Sequence, residues 1–137
     1  MADKKTLTFA LMDPPYENAR STTALRLIHI AAKRGYDINV FAYEGSVYLA
    51  FAKQKPHPNA MHGRNVEEEN HVLTKDLVSS LMEETKRNGG KFDWVNCGLC
   101  VDERGVEKQV EGARRGSPAD AWKLAEASEG FLFIATQ

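Results

Sequence analysis

The chain has 137 residues, enough for one domain to bury a core without disulfide staples. Lysine and arginine number 18 against 19 aspartate and glutamate, a formal net charge of −1, and no block of like sign is longer than Glu67-Glu68-Glu69. These values exclude the basic footprint of a nucleic-acid binder, and no apolar run is long enough to span a membrane.

Met1-Ala2-Asp3-Lys4-Lys5 leads into a strand rather than a signal-peptide core, so a cytoplasmic protein is expected. Leu7-Thr8-Phe9-Ala10-Leu11-Met12 reads as a first buried strand, stopped by Asp13-Pro14-Pro15. From about Asn18 to Arg34, Ala24, Leu27, Ile28 and Ala31 recur at helical spacing, and Gly35 closes the helix. Ile38 to Ala42 is a second strand, Tyr43 to Ser46 a loop, and Val47 to Ala52 a short helix or apolar ledge. Lys53 to Asn65 carries Pro56, Pro58, Asn59 and Gly63 and reads as a surface loop, a lid or a partner contact.

Helical periodicity returns from Val66 to Asn88, where Val72, Leu73, Leu77, Leu81 and Met82 share a face and Gly89-Gly90 ends the run. Phe92 to Val95 is a third strand. Ser117-Pro118-Ala119-Asp120 is a helix start, with a capping hydroxyl, proline in the first turn and an early acid. Phe131 to Ile134 is a last strand. Strands alternate with helices and are apolar without polar alternation. That pattern predicts an α/β protein: three layers, α/β/α, around a parallel sheet of about four to five strands, in a single domain over residues 1–137.

Both cysteines lie three residues apart in Asn96-Cys97-Gly98-Leu99-Cys100, directly after the third strand. Carboxyl ends of strands are where chemistry collects in open α/β folds. In a reducing compartment a structural disulfide is disfavoured, so paired cysteines point to redox, sulfur-handling or metal chemistry. A helix beginning just after Val95 places Cys97 near its N-terminus, where free N–H groups favour a thiolate. Gly98 allows close approach of a partner, and Arg104 adds positive charge that Asp102 and Glu103 oppose.

Three readings of the pair stay open on the residues alone. One is a thioredoxin-like dithiol, although that fold places its motif after an early strand and usually with proline between the cysteines. Another is half a zinc site completed by His57, His62 or His71, which lack metal-ligand spacing and read as solvated. The third takes both thiols as small buried hydrophobes. Asp13 and Tyr16 after the first strand, and Glu44 and Ser46 after the second, belong to the same sheet edge and are candidates for the mouth of a pocket. Trp94 and Trp122 read as core or interface, and Arg114 and Arg115 as a solvated face with a smaller share for a partner or anion.

The chain resembles the DsrE/DsrF-like family of sulfur-relay proteins over nearly its whole length. Asp13-Pro14-Pro15-Tyr16-Glu17 with Ala24-Leu25-Arg26-Leu27 is similar to the family's first strand, loop and helix. Gly45-Ser46-Val47-Tyr48-Leu49-Ala50 is similar to its "DGVYLA" turn, with Ser46 in place of a frequent Gly. Cys97 to Val106 resembles its "CGxCxxARGI" segment, and Val110 to Ser117 its "LIxGAxxGSM".

The resemblance implies that the cysteine eight residues before the Gly of the "RG" pair carries a persulfide; counting back from Gly105, that is Cys97. Cys100 is the extra thiol of the "CGxC" branch, able to resolve a persulfide, hold a metal or pack. The expectation is a sulfurtransferase or sulfur carrier in which Cys97 and Cys100 carry the chemistry. Asp13, Tyr16, Glu44, Ser46, Gly98 and Arg104 would line the binding site. Displacement at sulfur needs no cofactor and no metal. The implied partners are other sulfur-carrier proteins, with no nucleic acid and no membrane, and the implied assembly is a homotrimer or homohexamer. The alternative is a non-catalytic oligomeric binding module whose cysteine loop holds a small ligand or metal. A redox dithiol is third.

Overall fold

A computed structural model describes residues 4–136. Met1-Ala2-Asp3, read above as leading into the first strand, lies outside the described residues. Five strands form one parallel sheet: β1 (Thr6–Leu11), β2 (Asp37–Ala42), β3 (Phe92–Cys97), β4 (Ala113–Gly116) and β5 (Gly130–Ile134), in the order β4-β3-β2-β1-β5. Helices α1 (Arg20–Lys33) and α3 (Thr74–Arg87) pack on one face of the sheet. A 3-10 turn (Glu44–Tyr48), α4 (Gly98–Arg104) and α5 (Pro118–Glu126) serve the other. The three-layer α/β/α architecture expected from the sequence is the one observed.

The central strands β1, β2 and β3 are apolar because both their faces are covered. Phe9, Leu11, Ile38, Val40 and Trp94 meet Ala24, Ile28, Val78 and Leu81 in the larger core layer. Phe41 and Val95 point the opposite way, onto Val47, Val101 and Val106, with Ala121 and Leu124 of α5 at the margin. Cys97 and Cys100 belong to this second, smaller layer.

Several sequence expectations are corrected in detail. The long helix over Val66 to Asn88 is two helices, α2 (Val66–Glu69) and α3, separated at Asn70, whose φ of 34° is left-handed and tolerable for asparagine. The restart moves the inner face of α3 to Thr74, Val78, Leu81 and Thr85, leaving Val72 exposed and Leu77 at the margin. The first N–H groups of α3 are capped from elsewhere: Thr74 N–H donates to Tyr16 Oη at 3.1 Å and Lys75 N–H to Gln54 Oε1 at 3.1 Å. The Lys53 to Asn65 loop contains a short turn, Ala60–His62. Strand β3 runs on to Cys97 rather than ending at Val95.

Strand β4 escaped the sequence reading because Ala-Arg-Arg-Gly has no apolar pattern. It is an edge strand, and Arg114 is held on it by two hydrogen bonds to Asp93 of β3, both 2.9 Å. The last strand, whose apolar residues the sequence leaves open between core and subunit interface, forms the opposite edge, and Phe131 and Phe133 are exposed.

A buried polar chain fixes the carboxyl end of β3. Trp94 Nε1–H donates to Asn96 Oδ1 at 3.1 Å, and Asn96 Nδ2–H donates to Gln109 Oε1 at 2.7 Å. Gln109 Nε2 in turn donates to the carbonyls of Val47 and Val106, at 3.2 and 2.6 Å. Asn96 is fully buried. Replacing it by alanine strands the indole N–H and the Gln109 carbonyl inside the protein. Asn96→Ala is expected to lower stability by about 2–3 kcal/mol, read as a fall in the urea midpoint at unchanged m-value. A loss under about 0.5 kcal/mol would show that the chain is not stabilising.

Candidate functional site

Strands β1, β2 and β3 are neighbours and parallel, so their carboxyl ends deliver Asp13, the Tyr43–Ser46 turn and the cysteine loop to one edge of the sheet. Ser46 is the clamp between the first two. Its buried hydroxyl donates to Leu11 O and lies 2.7 Å from Tyr43 O as well, while its N–H donates to Met12 O at 2.9 Å.

Cys97 occupies the N-cap position of α4, with extended backbone and no side-chain capping bond. Cys100 lies one turn on. Both thiols are free, and each is 8% exposed. Leu99, between them, is 73% exposed. Glu44 N–H donates to Cys100 Sγ at 3.1 Å.

Glu44 achieves this through a φ of 52°, a left-handed conformation at a non-glycine residue. Such conformations persist where surrounding structure over-determines them, and they collect at functional sites. Burial pushes the Cys100 thiol up from its ordinary value, and the Glu44 N–H works against that rise. Burial also raises the phenol of Tyr43, with the nearby Glu44 carboxylate and Cys100 adding to it.

The positive charges go beyond the sequence expectation. Arg104 bonds to Glu44 Oε2 at 3.1 Å, and so ties α4 to the turn after β2. Its Nη1 also donates to Cys100 O at 3.4 Å, so Arg104 reaches the cysteine loop as expected. Arg115, read from sequence chiefly as part of a solvated face, reaches the loop as well. Its Nη2 donates to Gly98 O at 3.3 Å, and its two terminal nitrogens grip Asp102 at 2.9 and 3.0 Å. That pairing raises the guanidinium further above its ordinary value, with Cys97 among the smaller contributors, and draws the Asp102 carboxyl below the usual range. A Cβ on Gly98 would meet Arg115 Nη2 at 2.9 Å, so the partner that Gly98 admits is this guanidinium. Nothing in the Ala-Arg-Arg-Gly sequence signals the role; it appears only when β4 is paired to β3.

Asp13 is 4% exposed and ion-paired to Arg20 at 3.0 Å, with a further hydrogen bond from Thr136. With Glu44 and Arg104 it lines a cleft of about 460 Å³ along the sheet edge, beside the cysteine layer. Tyr16 turns away from this cleft. Its ring packs on His57 and His71, with centroids 5.1 and 4.6 Å off, and its hydroxyl accepts the Thr74 N–H. The histidines considered as zinc ligands thus include two that gather around Tyr16. Among the described residues no group of three or more His, Cys, Asp or Glu is arranged to hold a metal ion. No helix among them is long and apolar enough to cross a membrane.

A model of the DsrE/DsrF-like family matches residues 5–129. The chain belongs to that family. An uncharacterized protein of Methanocaldococcus jannaschii, MJ0989, is 26% identical over 129 residues, covering 91% of this chain and 96% of its own length. The crystal structure of the YchN protein from E. coli superposes with a TM-score of 0.67 at 17% identity, covering 94% of this chain and 98% of that one. A conserved protein of unknown function from Bacteroides thetaiotaomicron, BT1422, gives 0.57 at 15% identity, with 95% of each chain covered. At these identities the two structures show the shared fold.

The Asp13 carboxyl is held below its ordinary value, chiefly by the Thr136 hydrogen bond and then by Arg20, against the opposing effect of burial. A carboxylate whose folded pKa is depressed stabilises the fold above its unfolded pKa of about 3.9, and that contribution disappears as pH falls through the folded value. Acid titration of stability should therefore be shallower below about pH 4 in Asp13→Asn than in the parent protein. Parallel curves would remove Asp13 from the acid response.

Proposed function

We propose that this DsrE/DsrF-like protein accepts sulfane sulfur as a persulfide on Cys97 and passes it to the cysteine of another carrier protein. The observation that carries the reading is the position of Cys97. In a chain of this family it ends β3, occupies the N-cap position of α4 and stands eight residues before Gly105, with the Arg115 guanidinium bonded to the adjacent Gly98 carbonyl. The thiolate attacks the outer sulfur of a donor persulfide, and the donor thiolate leaves. Transfer onward repeats the displacement with Cys97 as leaving group. Neither step requires a metal or an organic cofactor.

Intact mass after treatment with a persulfide donor is expected to show the gain of one sulfur atom, lost in Cys97→Ser and recovered as a persulfide by alkylation. A reduced, folded protein that takes up no sulfur would sink this reading. It would turn attention to the cleft lined by Asp13, Glu44 and Arg104 as a small-ligand site in a non-catalytic binding module.

The same reading takes the protein to be cytoplasmic and a homotrimer or homohexamer. Support for assembly comes from the edge strand β5 and from α5, where Phe131, Phe133 and Trp122 are exposed and the Phe133 ring lies tilted to Tyr43 with centroids 6.1 Å apart. Aromatic patches of this kind mark contact surfaces. Sedimentation should show a trimer or hexamer for the parent chain and a smaller species for Phe133→Ser. An unchanged assembly in that variant would place the interface elsewhere.

A further inference from the structure

Cys100 has no part in the acceptance step, yet it is the nucleophile nearest to its product. Gly98 and Leu99 separate it from Cys97 and both are helical. That sets the two Cα atoms about 5 Å apart by helix geometry. The separation falls inside the roughly 4.4–6.8 Å window that a disulfide spans without backbone movement. The thiols share one apolar layer. A cysteine from another protein must reach a residue that is 8% exposed, whereas Cys100 is already in place.

A persulfide on Cys97 presents two electrophilic sulfurs: the outer one, which a carrier would take, and Cys97 Sγ itself. We propose that Cys100 Sγ attacks Cys97 Sγ, forming the Cys97–Cys100 disulfide and expelling the outer sulfur as hydrosulfide. This rests on Cys97 as the sulfur acceptor and adds a second outcome, release of sulfide by a dithiol. One sulfur–sulfur bond forms as another breaks, and the electron pair of the broken bond leaves with the outer sulfur. That sulfur is reduced to sulfide while the two cysteines are oxidised to the disulfide, so the step needs no outside oxidant or reductant. The Cys100 proton goes to the departing sulfur.

Groups around the two sulfurs bear on the step. Burial raises the Cys100 thiol, whose thiolate is the attacking species. The Glu44 N–H, 3.1 Å from Cys100 Sγ, holds the attacking sulfur and stabilises its developing charge. The Arg115 guanidinium, bonded to Gly98 O, brings positive charge to the residue that follows Cys97. Return to the dithiol consumes two equivalents of a small thiol, which is oxidised to its own disulfide.

The test uses glutathione persulfide as probe on the reduced full chain, removed by desalting. Non-reducing intact mass and a sulfide assay then follow the desalted protein. The parent chain is expected to pass from the one-sulfur adduct to a monomer lacking two hydrogens, releasing one sulfide per chain. Cys100→Ser and Cys100→Ala should stall at the adduct and release none. A parent adduct that persists as it does in the two variants, with both readouts flat, overturns the resolving step and leaves Cys97 as acceptor. Absence of any sulfur gain in the variants, with neither disulfide nor sulfide from the parent chain, overturns both. Should the variants fail to fold, the parent chain decides alone: a Cys97–Cys100 disulfide formed in step with sulfide supports the proposal, and a stable adduct ends it.

Discussion

The whole sheet edge depends on one buried amide. Asn96 is fully enclosed at the end of β3, and both halves of its side chain are used, one by Trp94 and one by Gln109. Gln109 then binds the carbonyls of Val47 and Val106, which belong to the turn after β2 and the segment after α4. Backbone bonds from Ala52 N to Lys108 O and from Val110 N to Ala50 O close the same contact. The cysteine loop begins at the next residue, so its geometry is set by a polar network from the larger core layer rather than by its own short helix. Such networks are worth having only when every member is satisfied, and this one is.

That arrangement explains why the thiols are free yet enclosed. The layer holding them is the thinner of the two, built from Val95, Val101 and Val106 around the sulfurs, with polar groups at its rim. Glu44, Arg104, Asp102 and Arg115 form two ion pairs across that rim. Exposed ion pairs of this kind add little stability. Their effect here is positional: one fastens the β2 turn to α4, the other brings a guanidinium to Gly98.

Much of the fold was legible because parallel strands covered on both faces must be continuously apolar. Leu7–Met12 and Ile38–Ala42 announce themselves, and the Ser117–Asp120 capping box is a local signature that needs no tertiary context. Strand β4 was hidden because an edge strand can be made of charges provided its neighbour answers them, as Asp93 answers Arg114. The break at Asn70 was hidden because the α3 N–H groups are capped by Tyr16 and Gln54, residues far away in sequence. The same distinction runs through the site. Cys97, Cys100, Asp13 and Glu44 follow strand ends and could be placed by order alone. Tyr16 follows a strand end too, but its ring found histidines to pack on. Arg115 became visible only through pairing.

Glu44 contributes its main-chain N–H, not only its carboxylate, to Cys100. A residue that accepts the left-handed φ of 52°, such as asparagine or glycine, supplies that hydrogen too, so such an exchange removes the link to Arg104 while leaving the donor to sulfur in place. The site is in this respect insulated from substitution at one of its own members. The Glu44 amide proton also becomes a resident sensor. Its chemical shift and exchange rate are tied to the charge and bonding of the Cys100 sulfur, and change when that sulfur changes.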